Sequence, residues 1–391
     1  MGEGSGAARR EGLHVHPSED HEELRRLARR VADREIRPVA AQYDQSREFP
    51  WPVLERIHTA GLFDLQIPAP IGGAGLTAVE ECIVQEELAA GCAGISLALV
   101  ANTLALTPIL IAGTPEQQSA LLGPFTRQLR LAAFGLTEAQ AGSDAGALKT
   151  RARREGDAYI LDGRKRFITN GGVADLYTIF ATLDGTPQGI TCFAVERGTD
   201  GLSAGREERK LGIRASNTSE VVLDGVRVPA AMRIGGEGEG YRIALRTLGR
   251  SRATIAAAAL GIAREALGCA VRYARERQQF SRPIAQLGAI EQMLGEMAMR
   301  VEASRLLVYQ AAEHIAAGET SPLYSSMAKA FAADTAMFVA GEAVQIFGGY
   351  GYMEDYPVEK LFRDAKIYQI FEGTNQVQRM VIARTLVRGD E

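Results

Sequence analysis

Leu24, Leu27, Ala28, Val31 and Ala32 recur at the three- and four-residue spacing of an amphipathic helix, and Pro38 follows where the pattern ends. A second helix is predicted over Trp51–Ala60, closed by Gly61. Thr77 with Glu80 makes a capping box for a helix running to about Ala90. Thr114, Pro115 and Gln117 make another start, with proline at the first helical position, where its missing N–H costs nothing. Ala93 to Ala112 is twenty residues without a charge, long enough to span a bilayer. Ser96, Asn102, Thr103, Thr107 and Pro108 interrupt it and no Lys or Arg flanks it closely, so the pattern predicts a buried core helix.

From Leu131 to about Val228 the pattern shortens to apolar runs of strand length: Leu131–Leu136, Tyr159–Leu161, Tyr177–Leu183, Ile190–Val195 and Val221–Leu223. Asp-Gly pairs at 162–163, 184–185 and 224–225 punctuate them. Glycine accepts the positive φ of a tight hairpin, so each pair predicts a turn. Helical periodicity returns after Gly240. Ala253–Gln278, Leu287–Ala317 and Leu323–Phe347 are long and alanine-rich, suiting a four-helix bundle, and a last helix starts near Thr374. The expectation is an α+β chain. It has a disordered tail over 1–16, an N-terminal helical domain over 17–130, a middle β-barrel-like domain over 131–239 and a C-terminal four-helix bundle over 240–391.

The length of 391 residues accommodates units of this size, and a 46% hydrophobic content supplies a core that needs no disulfide or metal staple. A net charge of −4 argues against the basic face that nucleic-acid binding requires. Cys82, Cys92, Cys192 and Cys269 form no CxxC and no His falls at zinc-ligand spacing, so no metal site is expected. The first 16 residues lack the apolar stretch of a secretory signal. The expectation is a cytoplasmic protein with no membrane attachment.

Three segments carry candidate chemistry. Leu136–Asp144 follows a strand and is made of small and hydroxyl residues, which let backbone N–H groups approach a flat polar ligand; it reads equally as a surface loop. Phe167-Ile168-Thr169-Asn170-Gly171-Gly172 ends a strand with an aromatic and a hydroxyl that could wall a ring and bond its edge; a plain strand exit is the alternative. In the stretch from Gln345 to Thr374, Glu372 sits between an apolar run and Gly373. Ile367, Ile370 and Phe371 should desolvate it and raise its pKa towards the range of a general base. Its bland reading is a glutamate in the first turn of the last helix, favoured there by the macrodipole.

Taken together, these segments resemble the acyl-CoA dehydrogenase family in identity, order and spacing. The family's "LTEPxAGSD" stands here as Leu136–Asp144 with Ala139 for the proline, and its "WITNG" as Phe167–Gly171 with Phe for the Trp. Its "QxxGGxGY" and "YPVE(K/R)xxRDAKIxxIYEGT" run almost intact from Gln345 to Thr374, and its "ARxRxxF" stands as Ala274–Phe280. The resemblance covers essentially the whole chain after residue 17. It implies FAD, with Thr137 and Thr169 bonding the flavin ring and Leu136, Phe167 and Ile168 against it. Arg277 and Phe280 of one subunit, with Gln345, Gly348 and Gly349 of its neighbour, would hold the pyrophosphate and adenosine part. Thr374 and Gln376 would contact FAD from the opening of the last helix. Ser143, Leu248, Arg252, Phe371 and Gly373 would contact the substrate. The implied reaction is α,β-dehydrogenation of an acyl thioester, with Glu372 taking the α-proton. A homo-oligomer, dimer or tetramer, is implied, as is an electron-transferring flavoprotein as acceptor.

Some family members place the base on a bundle helix, in an "LDxxR"-like stretch. Here that stretch is Leu248–Arg252, and Ser251 at the alternative position cannot act as a base near neutral pH, which favours Glu372. Gly249 replaces the usual Asp that helps hold the acyl-pantetheine, Ser281 stands where Gly is usual, and Leu287-Gly288 replaces residues that often touch the adenosine. The thioester handle could therefore be CoA or a carrier protein. A flavin monooxygenase on the same fold is the rival reading; it would not need Glu372.

Overall fold

The structure is a computed structural model describing residues 18–388; the tail expected over 1–16 lies outside them. The first unit is helical: α1 (Glu19–Val31), α2 (Ala40–Ser46), α3 (Trp51–Thr59), α4 (Ala78–Ala112) and α5 (Pro115–Leu122). Both expected capping boxes form, at Thr77/Glu80 and at Thr114/Gln117, each satisfying two backbone donors that the helix itself cannot. The two helical stretches expected on either side of residue 91 follow each other directly within α4. Cys92 is non-helical within it (φ −164°, ψ 114°), so α4 is two helices joined across a kink. The uncharged half is core, with Ile95, Ala105, Leu106 and Ile109 all fully buried. By length and composition α4, α6 (Gly240–Glu276) and the helix from Leu323 could each cross a membrane; most of each apolar window is buried in the fold.

The middle unit is one eight-stranded sheet: β1 (Ala132–Gly135), β2 (Arg151–Glu155), β3 (Ala158–Thr169), β4 (Leu176–Thr182), β5 (Ile190–Glu196), β6 (Leu202–Glu207), β7 (Thr218–Pro229) and β8 (Arg233–Ile234). The strand order is β6-β7-β3-β2-β4-β5-β8, with β1 parallel to β4 off that path, so the pairing stays open and the expected barrel does not close. Two of the three Asp-Gly pairs are not turns. Asp162-Gly163 and Asp224-Gly225 lie inside β3 and β7, which pair with each other across a bulge at that level. The Asp162 carboxylate accepts the Gly225 N–H at 2.8 Å there. Only Asp184-Gly185 joins consecutive strands, β4 and β5, as expected.

α6, α7 (Gly288–Ala316), α8 (Leu323–Phe347) and α10 (Asn375–Arg388) form the C-terminal unit, with α9 (Pro357–Tyr368) packed beside α8. Its core is continuous with α4: Ala89, Ala93, Leu97 and Val100 pack with the Ala256–Leu260 run of α6. Small side chains bring the two backbones together. A Cβ built on Gly261 would fall 2.4 Å from the carbonyl oxygen of Glu86, a distance no side chain could accept.

Candidate active site

The connection between α9 and α10 carries Glu372. Its φ is 57° and that of Gly373 is 84°, so two successive left-handed residues turn the chain back on itself. The glycine adopts this freely; the glutamate pays roughly 1–2 kcal/mol. The turn is held by side chains from two helices. Lys329 of α8, fully buried, donates to the Gly373 carbonyl at 2.7 Å and to Asn375 Oδ1 at 3.0 Å. Gln378 Nε2 donates to the Glu372 and Gly373 carbonyls at 3.1 and 3.0 Å. Asn375 in turn donates to the Ala330 carbonyl and to Asp334. Glu372 therefore lies ahead of the last helix rather than in its first turn. The N-cap is Thr374, whose Oγ1 accepts the Val377 N–H at 3.2 Å.

The Glu372 side chain faces a cavity of about 230 Å³. One wall is Leu97, Val100, Ala101 and Leu104 of α4. A second is Tyr241, Leu245, Leu248, Arg252 and Ile255 of α6. Leu136, Thr137, Gly142, Ser143 and Ala145 of the loop after β1, with Phe167, Ile168 and Thr169 of β3, make a third. Burial in this apolar setting pushes the Glu372 carboxyl up to about 7. The Ser251 hydroxyl, donating to it at 3.0 Å, and the Arg252 and Lys329 charges pull the other way. Ser251 thus meets the carboxylate from α6, where the alternative base would stand. Arg252 is buried, donates to Ser326 Oγ at 3.2 Å and leaves its Nε without a partner. Burial lowers the pKa of Lys329 to about 8, with Glu372 opposing.

The loop bearing Thr137 is fixed from beneath. Lys165, fully buried, donates to the Leu136 carbonyl at 3.2 Å and to Glu138 at 2.7 Å, while Glu138 also accepts from the Thr150 hydroxyl and the Lys149 and Thr150 N–H groups. Burial opposes ionisation of Glu138, but Lys165 and these donors hold it at about 2. Phe167 sits at a register shift two residues before β3 ends at Thr169. It has φ 58° and is 60% exposed, a strained aromatic presented to the cavity.

A second cleft of about 540 Å³ holds Arg277, Phe280, Gly348 and Gly349 on the same chain. The expected division of these residues between two subunits concerns an assembly; within one chain the end of α6 meets the end of α8 and these four residues line one cleft. Gln345 is exposed one turn before Gly348. Arg277 lies over the Tyr350 ring at 5.5 Å and makes no ion pair among the described residues. Thr374 and Gln376 line neither cavity. The supporting Lys329, Asn375, Gln378 and Glu138–Lys165 were missed in the sequence. The signal was there for Lys329 alone, as a solitary charge in the apolar Met327–Ala333 run.

The residues present fit a flavin dinucleotide: a hydroxyl-bearing wall with an exposed aromatic in one cavity, and a guanidinium without an ion-pair partner beside open glycines in the other. A raised-pKa carboxylate set against such a wall is placed to take a proton from a molecule held in the cavity. Comparison with known proteins gives the family. The models for the N-terminal, middle and C-terminal domains of acyl-CoA dehydrogenases match residues 18–128, 133–226 and 238–387. An acyl-CoA dehydrogenase of Bacillus subtilis (strain 168) is 43% identical over 378 residues, 96% of this chain and 100% of that protein. The butyryl-CoA dehydrogenase structure of Megasphaera elsdenii superposes with a TM-score of 0.94 at 40% identity, covering 96% of this chain and all of that one. The prolyl acyl carrier protein oxidase AnaB superposes at 0.92 with 32% identity, over 95% of this chain and all of that one. The chain belongs to the acyl-CoA dehydrogenase family.

Proposed function

We propose that the protein is an FAD-dependent dehydrogenase that converts an acyl thioester to its trans-2-enoyl form. The observation that carries this is the Glu372 carboxylate, pushed up to about 7 inside an apolar cavity. A base of that pKa is about half ionised near neutral pH and is far stronger than a solvated carboxylate. FAD, when bound, supplies the acceptor for the β-hydride. The protein's own part is to hold the α-carbon against Glu372, which takes the α-proton as the Cα–H bond breaks. The Glu372 N–H lies ahead of α10 and donates to no other described residue, so it is available to the thioester oxygen. A donor aimed at developing negative charge is worth about 3 kcal/mol to the transition state. Leu97, Val100 and Leu104 keep water from the ionised base and the substrate chain.

Arg277, Phe280, Gly348 and Gly349 would hold the pyrophosphate and adenosine end, from a partner subunit of a homo-oligomer. An electron-transferring flavoprotein in the cytoplasm is the acceptor that fits this reading. The handle is CoA or a carrier protein; the AnaB likeness keeps the second open. The test is anaerobic titration of the yellow holoenzyme with acyl-CoAs and acyl-carrier proteins. Bleaching by a thioester without NAD(P)H supports the dehydrogenase. Bleaching by NAD(P)H alone supports the monooxygenase.

A further inference from the structure

The loop after α3, the two halves of α4 and α6 enclose a cavity of about 10 Å³, room for one particle the size of a water molecule. Five side chains bring oxygen to it: Asp64 of the loop, Glu81 and Gln85 one turn apart in the first half of α4, Thr103 of the second half and Thr254 of α6. None is more than 9% exposed, and aliphatic side chains close the remainder. Glu81 Oε1 and Gln85 Oε1 are buried without a hydrogen-bond partner. Leaving a buried acceptor so is costly, and two on one cavity point to a donor or a cation between them. Asp64 accepts from Asn102 Nδ2 at 3.2 and 3.4 Å, and Glu81 Oε2 from the Thr254 hydroxyl at 3.5 Å. Neither carboxylate makes an ion pair among the described residues; Arg250 of α6 is the cation whose charge bears on Glu81. Burial pushes both carboxyls up to about 7, and the charge of Glu81 pushes Asp64 the same way, so the two oppose each other's ionisation.

We propose that Asp64, Glu81 and Gln85, with Thr103 and Thr254, hold a monovalent metal cation of the size of potassium. The site stands apart from the acyl-thioester reading. Ligation by oxygen alone suits a hard cation, and a space as large as water suits potassium better than magnesium, which demands a tight octahedral cage. Charge agrees: two carboxylates against Arg250 leave one negative charge, which a monovalent ion cancels. The ion would tie the loop after α3 to both halves of α4 and to α6. Asn102, which bonds Asp64, also accepts the Ala132 N–H at 2.8 Å and the Asn170 amide at 3.4 Å. The brace therefore extends to β1 and to the turn that follows Phe167–Thr169.

The test is thermal unfolding of the FAD-loaded enzyme in potassium chloride and in choline chloride at equal ionic strength, at pH 8 and pH 5, for wild type and Glu81→Gln. Protons and the cation compete for the same oxygens; Arg250, Glu80 and the Cys82 thiol are the other titratable groups beside Glu81. Potassium should raise the wild-type Tm by about 2 °C or more at pH 8 and leave it unchanged at pH 5, where both carboxyls carry their protons. In choline at pH 8 Glu81→Gln should melt above wild type, and potassium should narrow that gap because it does not act on the variant. Wild-type crystals soaked in thallium(I), a potassium mimic, should give an anomalous peak among Asp64, Glu81 and Gln85. Equal wild-type Tm in the two salts at pH 8, a potassium response retained by Glu81→Gln, or a water molecule only in the cavity overturns the site. The thallium measurement uses wild type and so decides even where the variant does not fold.

Discussion

Replacing Ser251 by alanine removes a hydroxyl that donates to the Glu372 carboxylate and leaves the rest of the site in place. Burial has raised that carboxyl to about 7, and the hydroxyl favours its ionised form. A hydrogen bond to a charged group contributes about 1.5–3 kcal/mol. The same hydroxyl also reaches the Leu248 carbonyl at 3.3 Å, so the lower end of that range applies. About 1.4 kcal/mol corresponds to one pKa unit. The base works only when ionised, so the rate of flavin reduction rises with pH through the Glu372 pKa. In Ser251→Ala that rise should move upward by about one pH unit. Near pH 6 the variant should react about tenfold more slowly than wild type, and above about pH 9 the two should converge. Stopped-flow flavin reduction under anaerobic conditions, across the pH range, measures this directly. An acid limb that does not move refutes the reasoning. So does a loss that is equal at every pH, since the hydroxyl would then be positioning substrate rather than stabilising charge.

Glu372→Gln should retain FAD while substrate reduction of the flavin falls by about 10² or more; near-wild-type reduction would falsify the base assignment. Lys329→Met should slow reduction and move the acid limb upward, because it frees the Gly373 carbonyl and removes a cation that favours ionised Glu372. An unchanged profile removes Lys329 from the positioning role. Arg277→Ala should increase FAD loss on dilution, read as released flavin fluorescence; undiminished retention counts against the second cleft as the pyrophosphate site. Glu81 is buried and its carboxyl is pushed up to about 7 from 4.5, so its contribution to stability is present in acid and lost as pH rises through about 7. Glu81→Gln should therefore raise the melting temperature relative to wild type near pH 8 and match it near pH 4, and equal melting temperatures at both pH values would contradict the assignment.

Much of this architecture is legible in the sequence where a local rule decides it. The two capping boxes define helix starts because they satisfy backbone donors within four residues. The uncharged Ala93–Ala112 stretch reads as core because its polar residues need partners, and Asn102 finds Asp64 and the Arg130 carbonyl. What eluded the sequence was decided by partners far along the chain. Asp-Gly at 162–163 and 224–225 carries a turn signature, yet each lies in a strand because the other strand sits opposite. β2 is almost wholly charged and β6 mixes small and charged residues, neither with a sustained apolar alternation, so only their neighbours make them strands. Glu372 is visible from its motif, while the lysine holding its turn lies 44 residues earlier than the carbonyl it bonds. Gly348 and Gly349 reach Arg277 through the packing of α8 on α6, which no local spacing encodes.

The contact of Gly261 with the Glu86 backbone has a consequence for how this scaffold can diversify. α4 and α6 both line the cavity, and at the level of Gly261, before the kink at Cys92, they meet main chain against main chain. A Cβ at residue 261 could not be accepted there without a shift of the two helices. That contact acts as a fixed stop at one end of the helix pair, while the cavity faces beyond the kink carry exchangeable side chains. Under the proposed function, single replacements at Leu97, Val100, Ala101 or Leu104 would alter the depth or shape of the cavity without touching that stop.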